Sequence, residues 1–419
     1  MDLEIKLSQK LDKEDPLKNF KKEFLNNSNE IYLDGNSLGK LPLTSLIKVK
    51  NVLEKEWGEN LIESWNDHWL KLVERVSSKL ERLFNSSNDE IVVGESTSVF
   101  LYQILHSLIN SKIYEPNLIS DNLNFPSDLY IIESICGLTQ NSKKTIIHYE
   151  SDIEANIGLL KEKIKEKPGI ITLSLVSYKS SWLYPMKELN EWAIKNNSII
   201  IWDLSHAAGV VHIDFKKTKT LVAVGCTYKY LNGGPGSPAF LYVKKELLKS
   251  IRNPISGWFG HSNPFSFSKK FIQNPGIMKF TNGTPNILSI VPIESGIDII
   301  LKAGTKSIQE KSRKQSDHLK NLILKYLIPL GYKIESPLLS RNRGSHISIS
   351  HEESWRICKS LKEGPLRVIP DYRPPKYMRL GIAPLYNSYE DLTRAIYKIT
   401  EITQNKEFSK HSKAKPKVT

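Results

Sequence analysis

Between Ile199 and Val243 three short apolar runs follow one another, and that arrangement leaves few folds open. Ile199 to Trp202 form the first, Leu221 to Val224 the second and Ala239 to Val243 the third. A short run that is apolar throughout and bounded by polar residues is the pattern of a strand buried on both faces of a parallel sheet. Asp203 stands where the first run ends. Tyr228 and Lys229 follow the second, just ahead of the turn-forming L-N-G-G-P-G-S-P. Open α/β sheets bind ligands beyond the carboxyl ends of their strands. One acid and one lysine are therefore expected at neighbouring strand ends in one crevice.

That pair has a specific chemistry. An aldehyde cofactor with a pyridine ring needs a lysine amine to form a Schiff base. It also needs a carboxylate to keep the ring nitrogen protonated, so that the ring acts as an electron sink. Lys229 and Asp203 meet both needs, and His206, three residues past the acid, is placed to stack on the ring or hydrogen-bond around it. The glycine run is not a G-x-G-x-x-G dinucleotide fingerprint, because no helix pattern starts from it.

The rest of the chain alternates strand and helix patterns, as a doubly wound sheet requires. D-E-I-V-V leads through S-T-S into an apolar helix from Val99 onward. Thr97 and Ser98 at such a helix start can cap it or receive an anion. N-F-P-S-D-L-Y (Asn124 to Tyr130) follows a strand-like Leu118-Ile119, with Phe125 placed to stack on a ring and Ser127 and Asp128 to fix polar atoms. P-G-I-I-T-L-S-L-V-S-Y-K-S-S-W-L is a strand ending in polar residues, including Ser180. From Leu46 to about Leu83 the apolar spacing is helical. Most of its residues are expected in the core, with Trp57 or Trp65 as candidates to face an aromatic substrate ring. A long helical pattern from about Asn286 to Leu327 leads to three further strand patterns at 345–350, 366–372 and 377–383. In the last, Arg379 interrupts an apolar strand, where a charge is costly unless paired. Its partner is either an α-carboxylate, which suits a two-pronged guanidinium, or an internal protein acid.

Composition narrows the classes. The chain has 419 residues, 40% apolar and 25% charged, enough for a sizeable core and for two domains. No window of roughly 18 uncharged apolar residues occurs, so no membrane span is expected. The start of the chain has no signal-peptide core. Cys136, Cys226 and Cys358 are scattered and odd in number, which suits a reducing cytoplasm and argues against a disulfide framework or a metal site. The net charge of +14 comes with no nucleic-acid motif, and part of it is concentrated in Lys406, Lys410, Lys413, Lys415 and Lys417. Residues 406–419 read as a disordered basic tail, and no nucleic-acid or membrane partner is expected.

W-D-L-S-H-A-A-G followed by G-C-T-Y-K-Y-L-N-G-G-P-G-S-P-A-F-L-Y-V resembles the kynureninase family. I-Y-L-D-G-N-S-L-G-K-L-P, N-F-P-S-D, I-S-G-W-F-G-H, F-T-N-G-T-P-N and Y-M-R-L-G-I-A-P-L-Y-N extend the resemblance over roughly residues 30 to 400. It implies an α/β fold of the type I pyridoxal-phosphate transferase kind, with a mainly parallel central sheet in a large domain (51–305). A smaller α/β domain (306–405) would take up the N-terminal segment (1–50). It implies pyridoxal 5'-phosphate as cofactor and a kynurenine-type amino acid as small-molecule substrate, hydrolysed to anthranilate (or its 3-hydroxy form) and L-alanine in tryptophan catabolism. Implied cofactor contacts are Thr97, Ser98, Phe125, Pro126, Ser127, Asp128, Ser180, Asp203, His206, Tyr228 and Lys229. Trp258 and Thr284 would reach across a homodimer. Arg379, Asn36 and Ser37 are implied for the substrate, and Lys229, Tyr228 and Asp203 for catalysis. Two departures stand out: Ser181 where the family usually has Gly after Ser180, and G-T-P-N for G-T-P-P. The alternatives are another enzyme of the fold, such as a cysteine desulfurase or aminotransferase, and a cofactor-binding protein without turnover.

Overall fold

The computed structural model describes residues 2–139 and 142–414. Twelve strands are found among them: β1 (Glu30–Leu33), β2 (Ile91–Val93), β3 (Asn117–Asp121), β4 (Lys143–Ile147), β5 (Ile170–Ser174), β6 (Ile199–Asp203), β7 (Val222–Gly225), β8 (Phe240–Val243), β9 (Lys333–Ile334), β10 (His346–Ser350), β11 (Arg367–Arg373) and β12 (Tyr377–Gly381). They form a seven-stranded sheet in the order β2-β8-β7-β6-β5-β3-β4 and a five-stranded sheet in the order β1-β11-β12-β10-β9. In the larger sheet β4, β3, β5, β6 and β7 are parallel, and β8 runs antiparallel to both β7 and β2. The apolar runs of β5 to β8 are buried at every position, as strands covered by helices on both faces must be.

Each sheet carries its own core. The first core runs from Leu17 and Phe24 through the large sheet to Ile300 and Ile308; the second begins with Ile31 and Leu33 and runs from Leu319 to Ile402. The N-terminal segment thus serves both. β1 pairs in parallel with β11, while the helix Leu43–Asn51 packs on the helix Ile287–Ala303 of the large unit.

Three expectations need correction. The helical pattern of 46–83 is broken into the helix Leu43–Asn51, two wide-turn segments (Val52–Trp57 and Trp65–Trp69) and the helix Leu72–Phe84, with Leu61 at φ 50°. Apolar spacing of three to five fits a wide turn as well as an α-turn. Trp57 is not core: it is 55% exposed. The chain end, read as disordered from 406, is placed as far as residue 414. Arg356 Nε and Nη2 donate to the carbonyls of His411 and Ser409, and Trp355 Nε1 donates to that of Ala414. Residues 415–419 lie outside the described residues.

Candidate active site

β6 and β7 end side by side, and their ends carry the acid and the lysine. Asp203, the last residue of β6, is 4% exposed. Its Oδ1 accepts from the Ser205 amide at 2.9 Å and the Ser205 hydroxyl at 2.6 Å. Ser205 Oγ in turn accepts from the Cys226 amide at 3.1 Å, just past β7. Burial raises the Asp203 carboxyl above its ordinary range, while Ser205 and the Lys229 charge pull it back. Lys229 follows on the turn after β7. Its Nζ lies 3.3 Å from His206 Nε2 and 5.8 Å from the ring centroids of Phe125 and Tyr228. Burial and then the Lys229 charge hold His206 well below the ordinary histidine range, so its imidazole is neutral.

Asp203 and Lys229 line one cavity of about 400 Å³, together with Thr97, Ser98, Phe125, Ser127, Asp128 and Tyr228. Two helix starts meet there. Thr97 and Ser98 open the helix Thr97–Ser111, and Pro126 opens Pro126–Leu138. Ser98 Oγ and Ser127 Oγ tie them together at 2.9 Å. First-turn amides have no intrahelical acceptor, so converging helix starts suit an anion such as phosphate. Asp128 is buried, and its Oδ2 has no hydrogen-bond partner. Burial, and then the Asp203 charge, push it well above the ordinary carboxyl range. A phosphate-bearing ring with a cationic N–H fits this set. It would bring an anion to the helix starts, a donor to a buried carboxylate and an aldehyde to a buried amine.

The remaining expected residues sit elsewhere. Ser180 is buried, and its hydroxyl accepts from the Trp182 amide at 3.2 Å rather than lining the cavity. Ser181 takes φ 69°, the left-handed conformation that a glycine would hold without strain. Trp258 and Thr284 are exposed and outside the cavity lining. Asn36 and Ser37 surround Arg379 instead. With its amide oxygen toward the guanidinium, Asn36 accepts from Nη2 at 3.1 Å and Nε at 3.2 Å, and Ser37 Oγ accepts from Nη2 at 3.2 Å. Arg379 also donates to Asp371 and to the Tyr178 carbonyl. The internal acid considered as its alternative partner is thus present.

Sequence reasoning missed several residues. Asp371 sits inside V-I-P-D-Y and shows the same signal as Arg379, a charge within an apolar strand. Ser205 bonds two residues back to Asp203 and carried no signal of its own. His346 is fully buried, with neither ring nitrogen reaching a hydrogen-bond partner, and its ring lies 6.3 Å from that of His206. Gly39 closes the loop of the N-terminal motif against the lysine turn. Its amide donates to the Tyr228 carbonyl at 2.8 Å, and a Cβ there would lie 2.3 Å from the Lys229 carbonyl oxygen.

The fold and cavity define a protein of the aminotransferase class-V type, and residues 31–353 match the family described as Aminotransferase class-V. Solved structures share the fold. A cysteine desulfurase from Thermococcus onnurineus NA1 superposes with a TM-score of 0.80 at 17% identity, covering 93% of this chain and 98% of that one. A C-DES mutant with glycine covalently linked to its PLP cofactor superposes with a TM-score of 0.79 at 14% identity, covering 91% and 99%. Residues 308–399 match the family Kynureninase C-terminal domain. The kynureninase of Pseudomonas fluorescens is 33% identical over 401 residues, 94% of each chain, and that of Burkholderia mallei (strain SAVP1) 32% identical over 398 residues, again 94% of each. The chain belongs to the kynureninase family.

Proposed function

We propose that this protein is a pyridoxal-phosphate-dependent hydrolase that converts L-kynurenine, or its 3-hydroxy form, and water to anthranilate (or 3-hydroxyanthranilate) and L-alanine. The observation that carries this reading is the meeting of Asp203 and Lys229 at adjacent strand ends in one cavity. Pyridoxal phosphate, when bound, supplies an aldehyde for amine exchange and a ring that draws negative charge away from Cα. Thr97 and Ser98 at the helix start would take its phosphate. Phe125 would cover the ring face, Pro126, Ser127, Asp128 and His206 would shape the polar surround, and Ser180, outside the cavity lining, would act through the loop it holds. Asp203 would hold the proton on the ring nitrogen. Arg379, supported by Asn36 and Ser37, receives the α-carboxylate. Lys229 would be the amine that holds the aldehyde and the base that moves the proton at Cα, and Tyr228 would relay a proton during cleavage of the Cβ–Cγ bond.

A homodimer suits the exposed groups. Trp57, Leu61, Ile62, Trp65 and Leu288 line a groove of about 630 Å³ that shares Asn286 with the cofactor cavity. A second copy laid there covers the groove and brings Trp258 and Thr284 to its neighbour's site. The enzyme is read as cytoplasmic, with a large domain over 51–305 and a small one over 306–405 that takes up the N-terminal segment. Among the described residues no helix is long and apolar enough to cross a membrane.

The desulfurase alternative is disfavoured, because such chemistry needs a mobile-loop thiol. Cys226 and Cys358 are buried, burial pushes the Cys358 thiol far up, and Cys136 lies within the helix Pro126–Leu138. The test is purified protein loaded with the cofactor and assayed for kynurenine cleavage by anthranilate fluorescence. Lys229→Ala is expected to abolish turnover. Wild-type protein that binds the cofactor but leaves both kynurenines intact refutes the substrate assignment.

A further inference from the structure

The small sheet lines up charge across β11 and β12, which follow one another in sequence, and β1, which is far from both. Asp371 on β11 stands opposite Arg379 on β12, and Arg379 stands opposite Ser348 on β10. On the other side, Leu33 at the end of β1 pairs with Pro370, so the next residues along the two parallel strands are Asp34 and Asp371. Directly paired residues present their side chains on one face. The row therefore reads Asp34, Asp371, Arg379, Ser348, with Arg373 two residues from Asp371 and donating to it at 2.9 Å. Two carboxyls and two guanidiniums share one largely buried surface. Asp371 is bonded to both arginines. Asp34 is the spare acid, with a buried Oδ1 that has no hydrogen-bond partner.

We propose that Asp34 sets the charge of the substrate-carboxylate site: the row admits the α-carboxylate of an amino acid when Asp34 carries a proton, and binding takes that proton up. The inference rests on the reading of Arg379 as the carboxylate receptor. With Asp34 ionised the row is balanced, two charges against two, and a third carboxylate would bury an uncompensated negative charge. With Asp34 neutral one positive charge is left over to receive it. Burial and then the neighbouring Asp371 charge push the Asp34 carboxyl up to about 6, against the pull of Ser37, Arg379 and Arg373. The other titratable groups facing it are the phenols of Tyr32, Tyr230 and Tyr386 and the thiol of Cys358, all kept protonated by burial. They add no charge. Burial also keeps His206 and His346 neutral.

The test uses holoenzyme and propionate, which has the carboxylate of the substrate without its amine. Calorimetry in buffers of different ionisation heat counts the protons taken up. We expect close to one proton per propionate at pH 7 and close to none at pH 5. The dissociation constant should rise at least tenfold from pH 6 to pH 8. Asp34→Asn should take up none and bind with no dependence on pH over that range. Infrared difference spectra of the wild type with isotope-labelled propionate should gain a protonated-carboxyl band, a measurement independent of how the variant folds. Wild-type binding without proton uptake, uptake that persists in Asp34→Asn, or no propionate binding at any pH overturns the proposal. Loss of kynurenine cleavage with intact propionate-linked uptake would instead count against the substrate assignment alone.

Discussion

Removing Asp371 should expose how much of the small sheet depends on one buried ion pair. Arg379 and Asp371 have side-chain exposures of 1% and 2%. In Asp371→Ala the guanidinium keeps Ser37, Asn36 and the Tyr178 carbonyl, but these are neutral acceptors, and the acid that remains in the row, Asp34, attracts Arg379 without the direct ion pair that Asp371 makes. Breaking a buried pair from one side costs about 3–5 kcal/mol. At about 2 °C per kcal/mol for a chain of this size, the melting temperature should fall by about 6–10 °C. Asp371→Asn keeps the shape and removes the charge, so it should lose nearly as much. The control is the pair Lys376–Glu352 near the same strands, with side chains 38% and 82% exposed; Glu352→Ala should leave the melting temperature unchanged, because a solvated pair is screened. The assay is thermal and urea unfolding of the three variants beside the wild type, with the propionate dissociation constant read on the same samples. If Asp371→Ala melts within 2 °C of the wild type, Arg379 is not held as argued here, and its role as an oriented carboxylate receptor loses its structural support.

Two further outcomes follow from local geometry. Ser181→Gly should stabilise the protein by about 0.5–1 kcal/mol in urea, because φ 69° strains any residue with a Cβ; a loss of stability would show that the Ser181 hydroxyl, 3.4 Å from the His346 amide, matters more than the backbone. Glu294 is the second case. Burial alone would raise its carboxyl, but Lys48, Lys79 and Arg75 hold it at about 2 against an ordinary 4.5. A depressed carboxyl stabilises above its unfolded value and loses that contribution as the pH falls from 4.5 towards 2. Glu294→Gln should therefore flatten the stability profile in that window by on the order of 1–2 kcal/mol after screening, and parallel profiles for the two proteins would remove Glu294 as a cause of acid sensitivity.

How far the sequence could be read depends on whether a feature is local. The buried strands of the large sheet were legible because each is a self-contained apolar run, and because strand ends are where α/β sheets place their ligands. That is enough to put Asp203 and Lys229 in one cavity without knowing a single contact. The broken stretch from 52 to 69 was not legible, since wide turns and α-turns share the same apolar spacing. The small-sheet row was harder still. Asp371 and Arg379 meet through the register of the neighbouring strands β11 and β12, and Asp34 joins them from β1, more than three hundred residues away in the chain; a slip of one residue would turn each side chain to the other face. Arg379 was nonetheless found, because a charge inside Y-M-R-L-G-I-A demands a partner. The same rule applied to V-I-P-D-Y yields Asp371. A charge that breaks an apolar strand is a request for its opposite, and two such breaks in neighbouring strands are most economically read as answers to each other. Asp34 escaped this reasoning because it follows its strand rather than interrupting it, beside a glycine turn where an acid is ordinary. Its unusual surroundings come wholly from the strands that pack beside it.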